Sequence, residues 1–394
     1  MALSSITLNT KFTPQYALEN RYWQGCPTIL KTPRGRLFAG WYSGGTGEPD
    51  PENYNLLIRS DDNGWTWKDP ELIITSEPEK NFMAIDIQLW LDPAERMWLF
   101  ITQRYYGDDL KVTDREHLAL WAVICDDPDA DVLQWSKPRF ISNGFLRTQP
   151  TVLSNGDWVL CAYNWIDSKY SYCRSKDNGK TWQDCSAGTK LLPDFDESMI
   201  LERKDGTLLM FARDFRPLMV KCTSSDLEGT SWTNGTYTSI INARSRFFLR
   251  RLKSGRVLLI HNDAAQWRDN LCAKLSEDDG ETWKYSLTLD NAECKVRNVS
   301  YPDAVEDENG NIFIIYDRGR TTFKEILMAQ ITEEDIINGS LCRHSSYLRR
   351  VISKAPEPAD HDVFQQRQNE NKLWKDRVMQ KLYREHDLFS GRIK

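Results

Sequence analysis

The stretch Ser276–Trp283, SEDDGETW, has two near copies earlier in the chain: SDDNGWTW at Ser60–Trp67 and SKDNGKTW at Ser175–Trp182. A looser version, SSDLEGTSW, runs from Ser224 to Trp232. Each residue type in the pattern suits a tight turn. The Asp side chain accepts backbone N–H groups, the Gly takes a positive φ, Ser or Thr caps the loop, and the Trp fills an interior. The octamer therefore reads as a structural staple that recurs because the architecture recurs.

A second repeat lies beneath the first. Six short β-runs each begin at a turn residue: Gly35, Glu95, Gly156, Gly206, Gly255 and Gly310. Each follows another apolar run, starting at Pro27, Ile87, Pro150, Ser198, Phe247 and Pro302. Strand–turn–strand units spaced by about 50 to 60 residues predict an all-β, six-bladed β-propeller. The octamers fall in blades one, three and five, and the looser copy in blade four. The segment ITLNT, residues 6–10, is expected to close the ring by pairing with the last blade. Residues 369–385 predict an amphipathic helix with Leu373, Trp374, Val378, Met379 and Leu382 near one face. The expected division is a propeller over 1–340 and a C-terminal extension over 341–394.

Composition narrows the functions. The net charge is −6, from 51 basic and 57 acidic residues, which argues against a nucleic-acid partner. No run of 18 apolar residues is present, so no membrane span is expected. The N-terminus lacks the basic and apolar regions of a secretory signal. Nine scattered cysteines without a C-x-x-C pair, and only five histidines, predict a reduced protein with no metal site and no cofactor. These features together predict a cytoplasmic location.

With six hairpins and repeated octamers (Asp-boxes), residues 20–335 resemble the bacterial exo-α-sialidase (neuraminidase) superfamily. Three segments carry that resemblance. DESMILERKDGTLLMFARD, residues 196–214, implies Glu197 as general base and Arg213 as a substrate ligand. IIYDRGR, residues 314–320, implies Tyr316 as nucleophile. WRDNLCAKLSEDDGETW, residues 267–283, implies Arg268 as a second substrate arginine. A neutral phenol suits a sugar with a carboxylate on its anomeric carbon, because an Asp or Glu nucleophile would meet like-charge repulsion. Arginine suits the same carboxylate, since its planar fork bonds both oxygens and keeps its charge.

Two expected pieces are missing. Gln24-Gly25-Cys26-Pro27 has no arginine where the family places its first, and Arg21 lies too early. Trp41-Tyr42-Ser43-Gly44-Gly45 has no acid, and a serine hydroxyl is too weak an acid to protonate a leaving oxygen. Replacements are sought among residues flanking the hairpin strands, which should share one face of the ring. They are Gln24, Asp86, Arg147, Gln149, Glu197, Arg246, Tyr301 and Asp303 before the first strands. After the second strands come Tyr42, Arg104, Asn164, Arg213, Asp214, His261, Asp263, Tyr316 and Arg318. Asp86 is the expected acid, with Glu48, Asp50 and Glu52 of the Gly- and Pro-rich loop as alternatives. Arg147, Arg246, Arg318, Tyr42 and His261 are expected to join Arg213 and Arg268 in binding substrate.

The expectation is a sialidase-like exo-glycosidase acting on a terminal acidic sugar. Two alternatives stay open: a non-catalytic glycan-binding propeller, and a uronic-acid-directed hydrolase or polysaccharide lyase using Tyr and His chemistry.

Overall fold

Each turn residue marked in the sequence joins the two inner strands of an antiparallel sheet, and six such sheets, five of four strands and one of five, are packed around one axis. The computed structural model describes residues 6–11, 13–107, 118–192, 196–291 and 298–389, the side chains of 78 and 379–389 excepted. The innermost strands are Gln24–Lys31, Phe82–Leu91, Thr151–Val152, Met199–Glu202, Phe248–Arg251 and Val299–Glu306. The fold is the expected six-bladed propeller.

The apolar pattern explains the packing. Side chains alternate across a strand, so each sheet presents apolar residues to both neighbouring blades. Ile29, Trp41 and Leu56 of blade one pack against Phe313, Ile315 and Met328 of blade six, while Leu30, Phe38 and Leu57 face Ile87, Leu99 and Val123 of blade two. Each such Leu or Ile, fully buried, contributes roughly 2 kcal/mol. The seam between blades one and six closes the ring without any strand exchange. The segment Thr7–Asn9 pairs instead with Leu72–Thr75, adding a fifth strand to the outer edge of blade one rather than completing blade six. Blade six finds its outer strand in Tyr347–Lys354, so the propeller extends past the expected boundary at 340.

The octamers are turn staples between the third and fourth strands. In blade five, Asp278 accepts the Thr282 backbone N–H at 2.8 Å and the Thr282 hydroxyl at 2.5 Å, while Ser276 Oγ accepts the Gly280 N–H at 2.9 Å. The same bonds recur at Asp62 and Asp177. Gly280 stands at φ 90°, a conformation that penalises any side chain.

The predicted tail helix spans His361–Phe389 and is labelled α2, after a one-turn α1 at Glu333–Asn338. It lies on its own ring. Trp374 meets Tyr106, and Val378 is buried with Trp23 and Tyr42. Leu373 faces outward, 69% exposed, and does not share that buried face. The side chains of Met379 and Leu382 lie outside the described residues. Among the described residues no helix is long and apolar enough to cross a membrane.

Candidate active site

One residue in each blade stands nine places before its hairpin turn residue, and these six meet at one end of the axis. They are Cys26, Asp86, Arg147, Glu197, Arg246 and Tyr301. Four hold left-handed backbone: Cys26 at φ 57°, Asp86 at 51°, Glu197 at 37° and Tyr301 at 55°. Such strain costs on the order of 1–3 kcal/mol per residue and gathers where function constrains geometry. In blades one, two and six it coincides with a break in the ladder beside the axis. The bulge turns the side chain toward the axis.

Glu197 is the hub. Its Oε1 accepts the Tyr301 hydroxyl at 2.6 Å and its Oε2 accepts Arg213 Nη1 at 2.6 Å, while the same Nη1 lies 3.2 Å from the Tyr301 oxygen. Burial by itself pushes the Glu197 carboxyl up, but Arg213 and Arg147 outweigh it and hold it at about 2. Burial, with the Glu197 charge, pushes the Tyr301 phenol above its ordinary value against the pull of Arg147, Arg213 and Arg268. The resting pair is therefore a carboxylate and a neutral phenol that shares its proton with it.

Above this pair opens a cavity of about 240 Å³, walled by Arg213, Arg268, Arg320, Arg147, Glu48 and Tyr42, with Ile85, Arg104, Tyr106 and Phe145 on one side. The Tyr301 ring sits among guanidinium groups, Arg320 at 4.2 Å, Arg147 at 4.9 Å and Arg268 at 5.1 Å from its centroid. Arg320 brings a guanidinium to the cavity beside Gln24-Gly25-Cys26-Pro27, which has no arginine of its own. It reaches across from blade six over Gly25, where a Cβ would lie 2.8 Å from Arg320 Cδ. Asp317 and Glu48 hold it there at 2.9 and 2.8 Å. Gly25 thus leaves room for a guanidinium delivered from another blade.

The acid missing from blade one also has a candidate on that blade. Of the three loop carboxylates, only Glu48 lines the cavity. Asp50 is spent inside the loop, accepting Thr46 N at 2.8 Å and Glu52 N at 3.0 Å, and Glu52 turns away to Arg367 at 3.3 Å. Asp86 stands behind Glu48, 2% exposed and paired with Arg147 at 2.8 Å. Burial pushes Asp86 up to about 7; Arg147 opposes the shift and Glu48 adds to it. The donor atoms of Cys26, Glu48 and Asp86 lie within 4.8 Å of one another, a spacing that would suit a metal ion. The cation already among them is Arg147, 2.9 Å from the Cys26 sulfur and 3.5 Å from Glu48 Oε1.

Of the residues named from the sequence, Glu197, Arg213, Arg268, Arg147 and Tyr42 line the cavity, and four others lie elsewhere. Tyr316 points between blades five and six, its hydroxyl on Asp290 Oδ2 at 3.1 Å. It sits on the second strand, one layer out from the axis, and its alternation aims it into the seam. Arg318 points the same way and pairs with Glu325 and Asp290. His261 is fully buried within blade five, where burial and then Lys274 push it down to about 3. Arg246 turns under the site and donates to four carbonyls, those of Pro27, Arg147, Tyr301 and Pro302, forming its floor rather than its wall. Tyr301 was on the expected rim without a chemical role. Counting nine residues back from Gly310, as from Gly206 to Glu197, is the signal that singles it out. Arg320 had no sequence signal beyond its place in IIYDRGR.

The chain matches the BNR repeat-like domain family over residues 35–314, and it belongs to that family. A search of curated proteins found no match. Among solved structures it superposes on the Hadza microbial sialidase Hz136 with a TM-score of 0.64 at 18% identity, over 80% of this chain and 66% of that one. On the Ruminococcus gnavus intramolecular trans-sialidase the TM-score is 0.65 at 14% identity, over 83% and 98% of the two chains. The leech intramolecular trans-sialidase gives 0.65 at 14%, over 86% and 72%. The chain thus spans just under two thirds of the length of Hz136. At these identities the likeness is one of fold.

Proposed function

We propose that this protein is a retaining exo-glycosidase for a terminal acidic sugar, with Tyr301 as nucleophile, Glu197 as its base and Glu48 as the acid. The observation that carries this reading is the 2.6 Å bond between the Tyr301 hydroxyl and Glu197, in a cavity lined by five arginines, Arg213, Arg268 and Arg320 among them. Arg213, Arg268 and Arg320 come from blades four, five and six and would receive a carboxylate borne on or beside the anomeric carbon. Tyr301 attacks the anomeric carbon as its proton passes to Glu197, and the glycosidic C–O bond breaks as the leaving oxygen takes a proton from Glu48. Water then attacks the anomeric carbon, giving its proton to the Glu48 carboxylate, and the sugar–tyrosine bond breaks as the phenolate recovers its proton from Glu197.

Glu48 is held below its ordinary value by Arg320 and Arg147, although burial opposes them. It needs a proton source at neutral pH, and Asp86 stands directly behind it. Sialic acid and related keto-sugar acids fit a neutral nucleophile beside a cationic cluster. The lyase alternative is weakened, because His261, its candidate base, lies inside blade five.

Release of phenol from aryl glycosides of acidic sugars, compared between wild type, Tyr301→Phe and Glu197→Gln, tests the reading. Turnover that survives in Tyr301→Phe, or sugar binding without release by the wild type, would overturn it.

A further inference from the structure

The loop that carries Glu48 has little apolar anchorage of its own. Gly44 and Gly45 stand at φ 82° and 62°, and Asp50 and Asn53 hold the turn from within, Asn53 Nδ2 donating to Gly44 O at 2.7 Å and Gly47 O at 3.1 Å. Glu48 itself is bonded to Arg320 at 2.8 Å and Gly44 N donates to Trp23 O at 3.2 Å, and the loop's outer side is supported by the far end of the chain. Along α2, Arg367, Asn371 and Lys375 lie four residues apart and so form one stripe on the helix. That stripe follows the loop. Arg367 pairs with Glu52 at 3.3 Å, buried Asn371 donates to Thr46 Oγ1 at 3.2 Å, and Lys375 Nζ lies against Gly47, 2.9 Å from where a Cβ would stand. A second stripe, Trp374 and Val378, anchors the helix on Tyr106 and the aromatic cluster around Trp23 and Tyr42. The helix therefore touches the loop at Thr46, Gly47 and Glu52, the residues that flank Glu48, while Glu48 itself faces the cavity.

We infer that α2, which lies outside the matched repeat domain, holds residues 44–53 so that Glu48 stays over the cavity, making Asn371 and Lys375 positioning residues for the proton donor. The inference rests on the proposed role of Glu48. Its chemical consequence follows from leaving-group dependence. A 4-nitrophenolate departs with little protonation, whereas an alkoxide requires it, so a misplaced acid slows alkyl glycosides far more than nitrophenyl ones.

The test is the full-length double variant Asn371→Ala/Lys375→Ala. Lys372→Ala serves as control, since its pair with Asp376 lies on the solvent side of α2. The expected result is a loss of roughly tenfold or more in kcat on an alkyl glycoside of the acidic sugar, a several-fold smaller loss on the nitrophenyl glycoside, and a little-changed KM. The double variant should also show faster amide exchange confined to residues 44–53, and Lys372→Ala should match the wild type in every measurement. Equal losses on the two substrates would reduce the helix to a structural element and overturn the inference while leaving the glycosidase reading intact. If the wild type turns over neither substrate, the glycosidase reading fails. Exchange in residues 44–53 then still decides the physical half: unchanged protection in the double variant removes the helix–loop coupling, and accelerated exchange upholds it.

Discussion

Tyr301 and Glu197 lie 104 residues apart in sequence, and their oxygens are 2.6 Å apart at the floor of the cavity. A hydroxyl bonded to a buried carboxylate gives up its proton along a path that already exists. With Tyr301 as the proposed nucleophile, Tyr301→Phe removes the attacking oxygen and is expected to lower kcat by about a thousandfold or more, with Glu197→Gln similar. Tyr316→Phe is the contrasting case. It removes a bond to Asp290 inside a blade seam, so turnover should stay within about twofold while stability falls by about 1 kcal/mol. Steady-state kinetics and urea unfolding on the three variants separate the two tyrosines.

Asp86 should make the protein less stable as pH rises. Its folded value, about 7, lies above the ordinary 3.8, because burial disfavours the carboxylate. Between those values the folded state holds a proton that the unfolded state has released. Stability therefore declines from about pH 4 to about pH 7 on this account, and the contribution is flat above. Asp86→Asn should lack that decline in urea midpoints measured across the window. If Asp86 supplies the proton used by Glu48, the alkaline limb of kcat/KM near pH 7 should also be altered in the variant.

Glu197 has the opposite sign. Held at about 2 by Arg213 and Arg147 against burial, its charged form contributes stability above the ordinary 4.5, and that contribution is lost as pH falls toward about 2. Glu197→Gln should be less stable than wild type at pH 7 and should lose less stability on acidification below pH 4.5, read from thermal midpoints at matched salt.

Arg320 and Gly25 act as one unit. Arg320→Ala removes a cation from the cavity and is expected to raise KM for an acidic sugar by roughly ten- to a hundredfold. Gly25→Ala puts a methyl 2.8 Å from Arg320 Cδ and should reproduce part of that rise without touching substrate. An uncharged sugar analogue, bound equally by all three proteins, completes the comparison.

The turn staples should be separable from catalysis. Asp278→Ala removes the bonds that hold Thr282 and is expected to lower the thermal midpoint by about 2–4 °C, with kcat/KM unchanged for the folded protein.

Much of this architecture is legible in the sequence. Ser, Asp, Gly and Thr of each octamer bond to one another within five residues, so their geometry is local and the sequence spells it out. The hairpins were legible for the same reason, since a turn residue and two apolar runs are neighbours in the chain. Glu197 and Arg213 could be placed because one hairpin carries both. Tyr316 misled because a residue at a strand end satisfies the spacing rule equally well whether it faces the axis or a seam. Tyr301 does carry a mark in the chain, nine residues before Gly310, but only the bulge at Ser300–Asp303 that swings it inward gives that spacing its meaning.

The sequence by itself determined the repeat, the blade count and the staples, since each depends on bonds and periodicity among near neighbours, while Glu197 as candidate base is what the resemblance implied. Only the tertiary structure decided which tyrosine meets Glu197, that blade six sends Arg320 to the cavity beside Gly25, and which loop carboxylate faces the cavity. Those choices turn on backbone bulges and on long side chains crossing between blades. A guanidinium that reaches over a glycine some 300 residues away leaves no periodic trace in the chain that carries it.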